Sequence, residues 1–187
     1  MLHSPPRLVI TGRPGSGKST LFRRIVDKLR DAGYTVGGIS SPEVRVGGKR
    51  IGFKIIDLLT NEERWLAKRG YISRARVGSY GVLLKEATEL WKKALSRALK
   101  ADVIGIDEVG PMELKIPGFK YDLVNKVLTS PKPLILVIHY RLDPRSIGLL
   151  ASKIITVTLE NRERLNKELP KNFLMEVNKY YGRLQNP

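Results

Sequence analysis

The sequence contains no cysteine. That excludes disulfides, thiolate nucleophiles and thiolate metal sites at once. It has only two histidines, too few without cysteine to build a structural zinc site. Aromatic residues make up 7%, which leaves few platforms on which single-stranded nucleic acid bases could stack, and no recognised RNA- or DNA-binding motif is present. No apolar run approaches the roughly 18 residues that span a membrane. The stretch from Met1 to Arg7 leads almost directly into a short apolar strand and a glycine-rich loop. Neither a signal peptide nor a membrane segment is therefore expected, and the expected location is cytoplasmic. Acidic residues are scarce too: 18 Asp plus Glu face 34 Lys plus Arg, a formal charge of +16. Such a charge attracts polyanions, nucleotides or nucleic acid. The basic residues are spread along the chain, however, which suits a solvated basic surface.

What is present suits one domain over residues 1–187, expected as a monomer, with 42% apolar residues to fill a core. Short apolar runs alternate with helical patterns, the mark of an α/β protein with a mostly parallel sheet. Leu8 to Ile10 is a strand. A helix follows from about Lys18 to Asp31, its Leu21, Ile25, Val26 and Leu29 on one face and Gly33 suited to its C-terminal cap. Tyr34 to Ile39 is a second strand. The runs Glu43 to Val46 and Lys49 to Leu58 flank Gly47-Gly48 and predict a hairpin, hence antiparallel strands at a sheet edge. Residues 59–81 are basic and glycine-punctuated and predict loop. A long helix spans Leu83 to Leu99, with Trp91 expected at its margin. Val103 to Ile106 and Leu134 to Ile138 are buried strands, separated by a helix from about Tyr121 to Thr129. A weak helix over Ser146 to Ala151, a strand over Ile154 to Leu159, and a helix from Arg162 interrupted near Pro170 complete the pattern.

Gly12-Arg13-Pro14-Gly15-Ser16-Gly17-Lys18-Ser19 fits G-x-x-x-x-G-K-[ST], followed by Thr20. A triphosphate carries several negative charges and needs many donors at once. Glycines let the backbone curl so that successive N–H groups face the phosphate oxygens, and the helix opening at Lys18 adds its positive end. Lys18 can reach the β- and γ-phosphates, and the Ser19 hydroxyl can ligate Mg²⁺. The strand before the loop and the amphipathic helix after it supply the context that the motif requires.

A second constellation is Val103-Ile104-Gly105-Ile106-Asp107-Glu108-Val109-Gly110. Asp107, at the end of a buried strand, fits the Walker B acid that holds Mg²⁺. Glu108 would face the γ-phosphate side and orient or deprotonate the attacking water. Both are alternatively solvated loop carboxylates. Asp107-x-x-Gly110 also occurs in GTPases. But none of Asn125-Lys126, Asn166-Lys167 and Asn178-Lys179 has Asp two places after the Lys, so dedicated guanine recognition is not expected. His139 would sense the γ-phosphate if its strand neighbours that of Asp107; otherwise it packs in a strand-end loop. Arg13, Arg45, Arg50 and Arg162 are candidates to stabilise charge in the transition state, and sequence does not rank them against surface roles.

These residues resemble the THEP-type nucleoside-triphosphatases over most of the chain, from about Arg7 to Leu169. The resemblance rests on Thr11 to Leu21, on the hairpin Gly47-Gly48-Lys49-Arg50-Ile51-Gly52-Phe53, on Asp107-Glu108-Val109-Gly110-Pro111-Met112-Glu113-Leu114, and on Thr158-Leu159-Glu160-Asn161-Arg162. It implies an α/β P-loop NTPase fold of the RecA-like kind: three layers, α/β/α, around a mostly parallel sheet with an antiparallel hairpin at the edge. It implies Mg²⁺-dependent hydrolysis of ATP, GTP and other nucleoside triphosphates to diphosphates, and it maps nucleotide contacts onto Gly12 to Thr20 and Val103 to Gly110. Pro111 stands where the family usually carries Lys. Two other readings stay open at this point: a kinase with residues 59–81 as its lid, and a nucleotide-gated RNA- or DNA-binding protein.

Overall fold

The computed structural model describes residues 4–149 and 153–183. In chain order its elements are β1 (Arg7–Thr11), α1 (Lys18–Asp31), β2 (Val36–Ser40), β3 (Glu43–Val46), β4 (Lys49–Asp57), β5 (Glu63–Arg69), β6 (Arg76–Val77), β7 (Tyr80–Val82), α2 (Leu84–Ala98), β8 (Val103–Val109), α3 (Phe119–Asp122), β9 (Leu134–Ile138), β10 (Lys153–Thr156) and α4 (Arg162–Tyr180). All ten strands join one sheet in the order β10-β1-β9-β8-β2-β4-β5-β7-β6, with β3 paired to β4. From β10 to β2 neighbours are parallel, and from β2 outward they are antiparallel.

Side-chain alternation explains the layers. Along β9, Leu134, Leu136 and Ile138 enter the core on one face, while Ile135 and Val137 enter the core on the other. A strand buried on both faces reads as an unbroken apolar run because helices cover both sides. One core gathers Ala87, Leu90, Trp91 and Ala94 of α2 and Phe119 of α3. The opposite core gathers Leu21, Phe22, Ile25, Val26 and Leu29 of α1 with Leu165, Leu169, Phe173 and Val177 of α4. The result is the α/β/α arrangement.

Helix α1 occupies the expected residues. It ends as predicted, with Gly33 at φ 83 and the N–H groups of Gly33 and Tyr34 donating to the carbonyls of Arg30 and Leu29.

Five expectations are corrected. Residues 59–81 are not one open loop: they supply β5 and β6 and lead into β7, hydrogen-bonded into the sheet beyond the hairpin β3–β4. A segment tied into a sheet is a poor lid. Trp91 is 1% exposed rather than marginal. Its indole N–H donates to Asp122 at 3.0 Å, and its ring lies 4.5 Å from that of Phe119. The apolar stripe of α2 is wide enough to bury it; Trp91→Ala would cost about 3–5 kcal/mol. Helix α4 runs unbroken through Pro170, since the surrounding apolar face is buried and holds the chain there. Finally, the strand expected over Ile154 to Leu159 ends at Thr156 and becomes a turn, and the weak helix is a 3₁₀ turn over Pro144–Ile147; Ala151, its expected end, lies outside the described residues.

Candidate active site

Sheet register brings the two motifs together. Ile10 of β1 and Asp107 of β8 both pair with Val137 of β9. They therefore share one row of the sheet, two strand spacings or roughly 10 Å apart. The loop that leaves β1 at Gly12 and the acids that leave β8 emerge at the same edge.

Within the loop, Gly12 adopts φ 147, and a Cβ there would lie 2.4 Å from the Val157 carbonyl oxygen. Gly17 precedes α1, whose first turn has no side-chain cap and no acid. Its unpaired N–H groups face the loop, an arrangement that attracts an anion. The Ser16 hydroxyl is buried without a hydrogen-bond partner among the described residues. A buried orphan donor costs about 1–3 kcal/mol, and a phosphate oxygen would satisfy it. Lys18 is 8% exposed, and its Nζ donates to the Arg13 carbonyl at 3.2 Å, folded back over the loop. Arg13, Pro14 and Gly15 are exposed at the rim, as are Ser19 and Thr20 in the first turn of α1.

The Ser19 hydroxyl donates to Asp107 Oδ1 at 3.2 Å. Asp107 is 7% exposed. Burial, reinforced by the charge of Glu108, lifts its carboxyl to about 6, against the pull of the Ser19 hydroxyl and of Lys18 and Arg23. Two hard oxygen donors side by side, one a buried carboxylate short of positive charge, suit Mg²⁺ completed by water and phosphate oxygens. No cluster of three or more metal-ligating side chains occurs among the described residues, so an ion here would lean on its phosphates, as Mg²⁺ usually does.

Of the other sequence candidates, Val103, Ile104, Gly105 and Ile106 are buried in β8. Val103, Ile104 and Ile106 fill the cores, and the space beside Gly105 is taken by Phe22 and Leu58. They carry Asp107 to the edge. Glu108 is half-buried and Val109 buried, its carbonyl accepting the His139 N–H at 3.0 Å. Because β9 does neighbour β8, His139 emerges at the same edge. Its Nδ1 accepts the Arg141 N–H at 3.3 Å, however, which leaves only Nε2 free for another partner. Arg45 and Arg50 both pair with Glu43 on the hairpin, at 2.6 and 2.7 Å. Arg162 lies against the loop itself: a Cβ on Gly17 would be 3.8 Å from Arg162 Cδ.

In the sequence Glu113 is one residue of the segment Asp107 to Leu114; the structure gives it a place. It is 5% exposed, accepts the Gly110 N–H at 3.1 Å, and is lifted by burial, with the charge of Glu108 adding, to about 7. Its spacing from Gly110 was readable, but no rule of spacing announces a buried carboxylate.

A glycine cradle at a helix N-terminus, its serine paired with a buried acid two strands away, defines a P-loop nucleotide-binding protein of the α/β class. A family model described as NTPase matches residues 7–170, and the chain belongs to that family, alongside the curated THEP1 proteins. The nucleoside-triphosphatase THEP1 of Saccharolobus solfataricus is 44% identical over 163 residues, 87% of this chain and 90% of that one. That of Methanocaldococcus jannaschii is 44% identical over 164 residues, covering 87% and 94%. Among solved structures, THEP1 from Aquifex aeolicus superposes with a TM-score of 0.75 at 33% identity, covering 87% of this chain and 96% of that one. A human cancer-related nucleoside triphosphatase gives 0.72 at 28%, covering 89% and 96%.

Proposed function

We propose that this protein hydrolyses nucleoside triphosphates, ATP and GTP among them, to the diphosphate and phosphate, with Mg²⁺ and with broad tolerance of the base. The reading rests on one observation: the anion cradle of Gly12 to Ser19 and the acids Asp107 and Glu108 meet at one sheet edge, with Ser19 and Asp107 in contact. Relatives named nucleoside-triphosphatases support it.

The loop N–H groups bind phosphate oxygens, and the Ser16 hydroxyl finds an acceptor there. Lys18 Nζ exchanges the Arg13 carbonyl for the β- and γ-phosphates. Ser19 and Asp107 would hold Mg²⁺, which would neutralise the phosphate charge. Glu108 takes a proton from the water that attacks the γ-phosphorus; the bond from that phosphorus to the β–γ bridging oxygen breaks, and the diphosphate leaves. Glu113 fixes the Gly110 backbone just beyond Glu108 and keeps the loop in place.

The test is a panel of ATP, GTP, CTP and UTP with Mg²⁺, free phosphate and nucleotide product being measured together, with Lys18→Ala as control. One phosphate per diphosphate, at similar rates for all four and lost in the control, is expected. Diphosphate formed only when an acceptor is added, without matching free phosphate, would instead make the chain a kinase.

A further inference from the structure

We propose that the face of β4, β5, β7 and β6 turned toward α1 binds single-stranded nucleic acid, with a base stacked on Trp65 and the backbone phosphates on Lys54, Lys68 and Arg76.

Strand pairing fixes which residues share this face. Ser40 pairs with Asp107 on one side and with Ile56 on the other. Their neighbours Ile39, Ile106 and Ile55 enter the core beneath α2, so Asp107 and Ile56 face the α1 side. Two residues back along β4, Lys54 faces the same way and pairs with Trp65 of β5. Further along, Gly52 pairs with Lys68, Lys68 with Gly81 and Gly81 with Arg76, while Ala67 and Val82 enter the core beneath α2. Among the described residues, the core beneath α1 and α4 takes nothing from β3 to β7, so no helix covers this part of the sheet. Helix α1 flanks it with Arg23, which acts on the Asp107 carboxylate, and with Arg30, which donates to the Leu58 carbonyl just past β4. Basic residues far apart in the sequence are gathered here by pairing.

Trp65 belongs to neither core. Its ring lies against Gly52, where a Cβ would be 3.0 Å from Cζ3. Lys68 Nζ is 4.4 Å from the ring centroid and Lys54 Nζ 5.9 Å. A base stacked on an aromatic ring outweighs an exposed cation–π contact, so a base can displace Lys68 Nζ from the ring onto a neighbouring phosphate. The nearby acids are few. Glu63 pairs with Lys54, and Asp27 stands between the two arginines of α1. Arg23, Lys68 and Arg76 have no acidic partner among the described residues. An acidic peptide would engage these cations and leave the ring idle. A nucleic acid strand engages both, since each nucleotide brings a phosphate and a flat base, and a sheet face with aromatic and basic side chains suits it.

The experiment measures equilibrium binding of oligouridylate and oligothymidylate with 5′-hydroxyl ends, and of polyglutamate, to the full chain. Of the two tryptophans Trp91 is buried, so quenching of tryptophan emission by a bound strand reports Trp65. Binding of either strand with quenching supports the proposal, and the pair of probes separates RNA from DNA. Trp65→Ala should weaken the strands at least about fivefold, and Trp65→Phe, which keeps a ring, should retain most of the affinity. Lys68→Ala and Arg76→Ala should each weaken binding and lower its logarithmic salt dependence by about 0.7. Lys92→Ala, exposed on α2 across the sheet, should do neither. Equal losses in Lys92→Ala and Lys68→Ala would overturn the proposal and leave only diffuse attraction to a charge of +16. Polyglutamate that binds as tightly as the strands, with Trp65→Ala sparing both, would overturn it in favour of an acidic protein partner. Strand binding lost in Lys18→Ala but kept in the Trp65, Lys68 and Arg76 variants would overturn it by placing the strand in the phosphate loop.

Discussion

In the proposed reaction, two adjacent acids divide the work at the edge of β8. Asp107 points at Ser19, whereas Glu108 lies toward Gly110 and Glu113. Glu108→Gln keeps the shape and removes the basic oxygen. An interaction used only in the transition state lowers turnover and spares binding. We expect near wild-type ATP affinity with Mg²⁺ and single-turnover hydrolysis slower by about 10²–10⁴-fold; affinity and rate falling together would place Glu108 in the structure or the metal shell instead. Asp107 carries a pH signature. Its carboxyl ionises near 6 in the metal-free protein because it is buried, and a cation must displace that proton. Apparent Mg²⁺ affinity should climb between about pH 5 and 7 and then level, and Asp107→Asn should flatten the rise. Titration of Mg²⁺ at several pH values, read by nucleotide binding, decides it.

At the scale of elements, the β1–loop–α1 unit owes its shape to two kinds of glycine. Gly12 needs both its φ of 147 and the space held by the Val157 carbonyl, whereas Gly15, at φ 77, meets nothing within 4 Å. Gly12→Ala should cost at least about 2 kcal/mol from combined strain and overlap, and Gly15→Ala about 1 kcal/mol from backbone strain alone. Urea unfolding of the two variants tests that order, and equal losses would mean that the turn after β10 gives way easily. The loop, helix α1 and its Gly33 cap were legible because each is written in consecutive residues. The end of β10 was misread by three residues: Val157 and Leu159 continue an apolar pattern, but Asn161 ties the chain into a turn through contacts that no periodicity records. The strands of residues 59–81 were hidden for a related reason, since their partners lie in β4 and in one another.

Across the whole molecule, the buried carboxylates set how stability responds to pH. Glu113 ionises near 7 when folded, against an ordinary 4.5. Below about 4.5 both states hold the proton and nothing is lost. As pH rises toward 7 the unfolded chain releases a proton that the folded chain retains, so stability falls across that window and then levels. Asp107 acts in the same sense from its ordinary 3.8 up to about 6. Glu113→Gln mimics the protonated form and still accepts from Gly110. In metal-free buffer it should match the wild type near pH 4.5 and exceed it by on the order of 2 kcal/mol at pH 8. Parallel stability curves for the two proteins would refute this role for Glu113.

The sequence alone determined the two motifs of the proposed phosphate end. Gly12 to Ser19 and Asp107-Glu108 are each contiguous, and the conformations they need follow from glycine's freedom, a helix N-terminus and a strand end. It also determined that α-helices and buried strands alternate, because burial on both faces leaves an unbroken apolar run such as Leu134 to Ile138. Only the tertiary structure decided the strand order. That order sets β9 between the two motifs, brings the turn after β10 against Gly12 and Gly17, singles out Arg162 from Arg45 and Arg50, and sinks Glu113 and Trp91 into the interior. Each of these depends on pairings between residues far apart in the chain. Such contacts are selected by the joint packing of two cores, and no local pattern of residues encodes them.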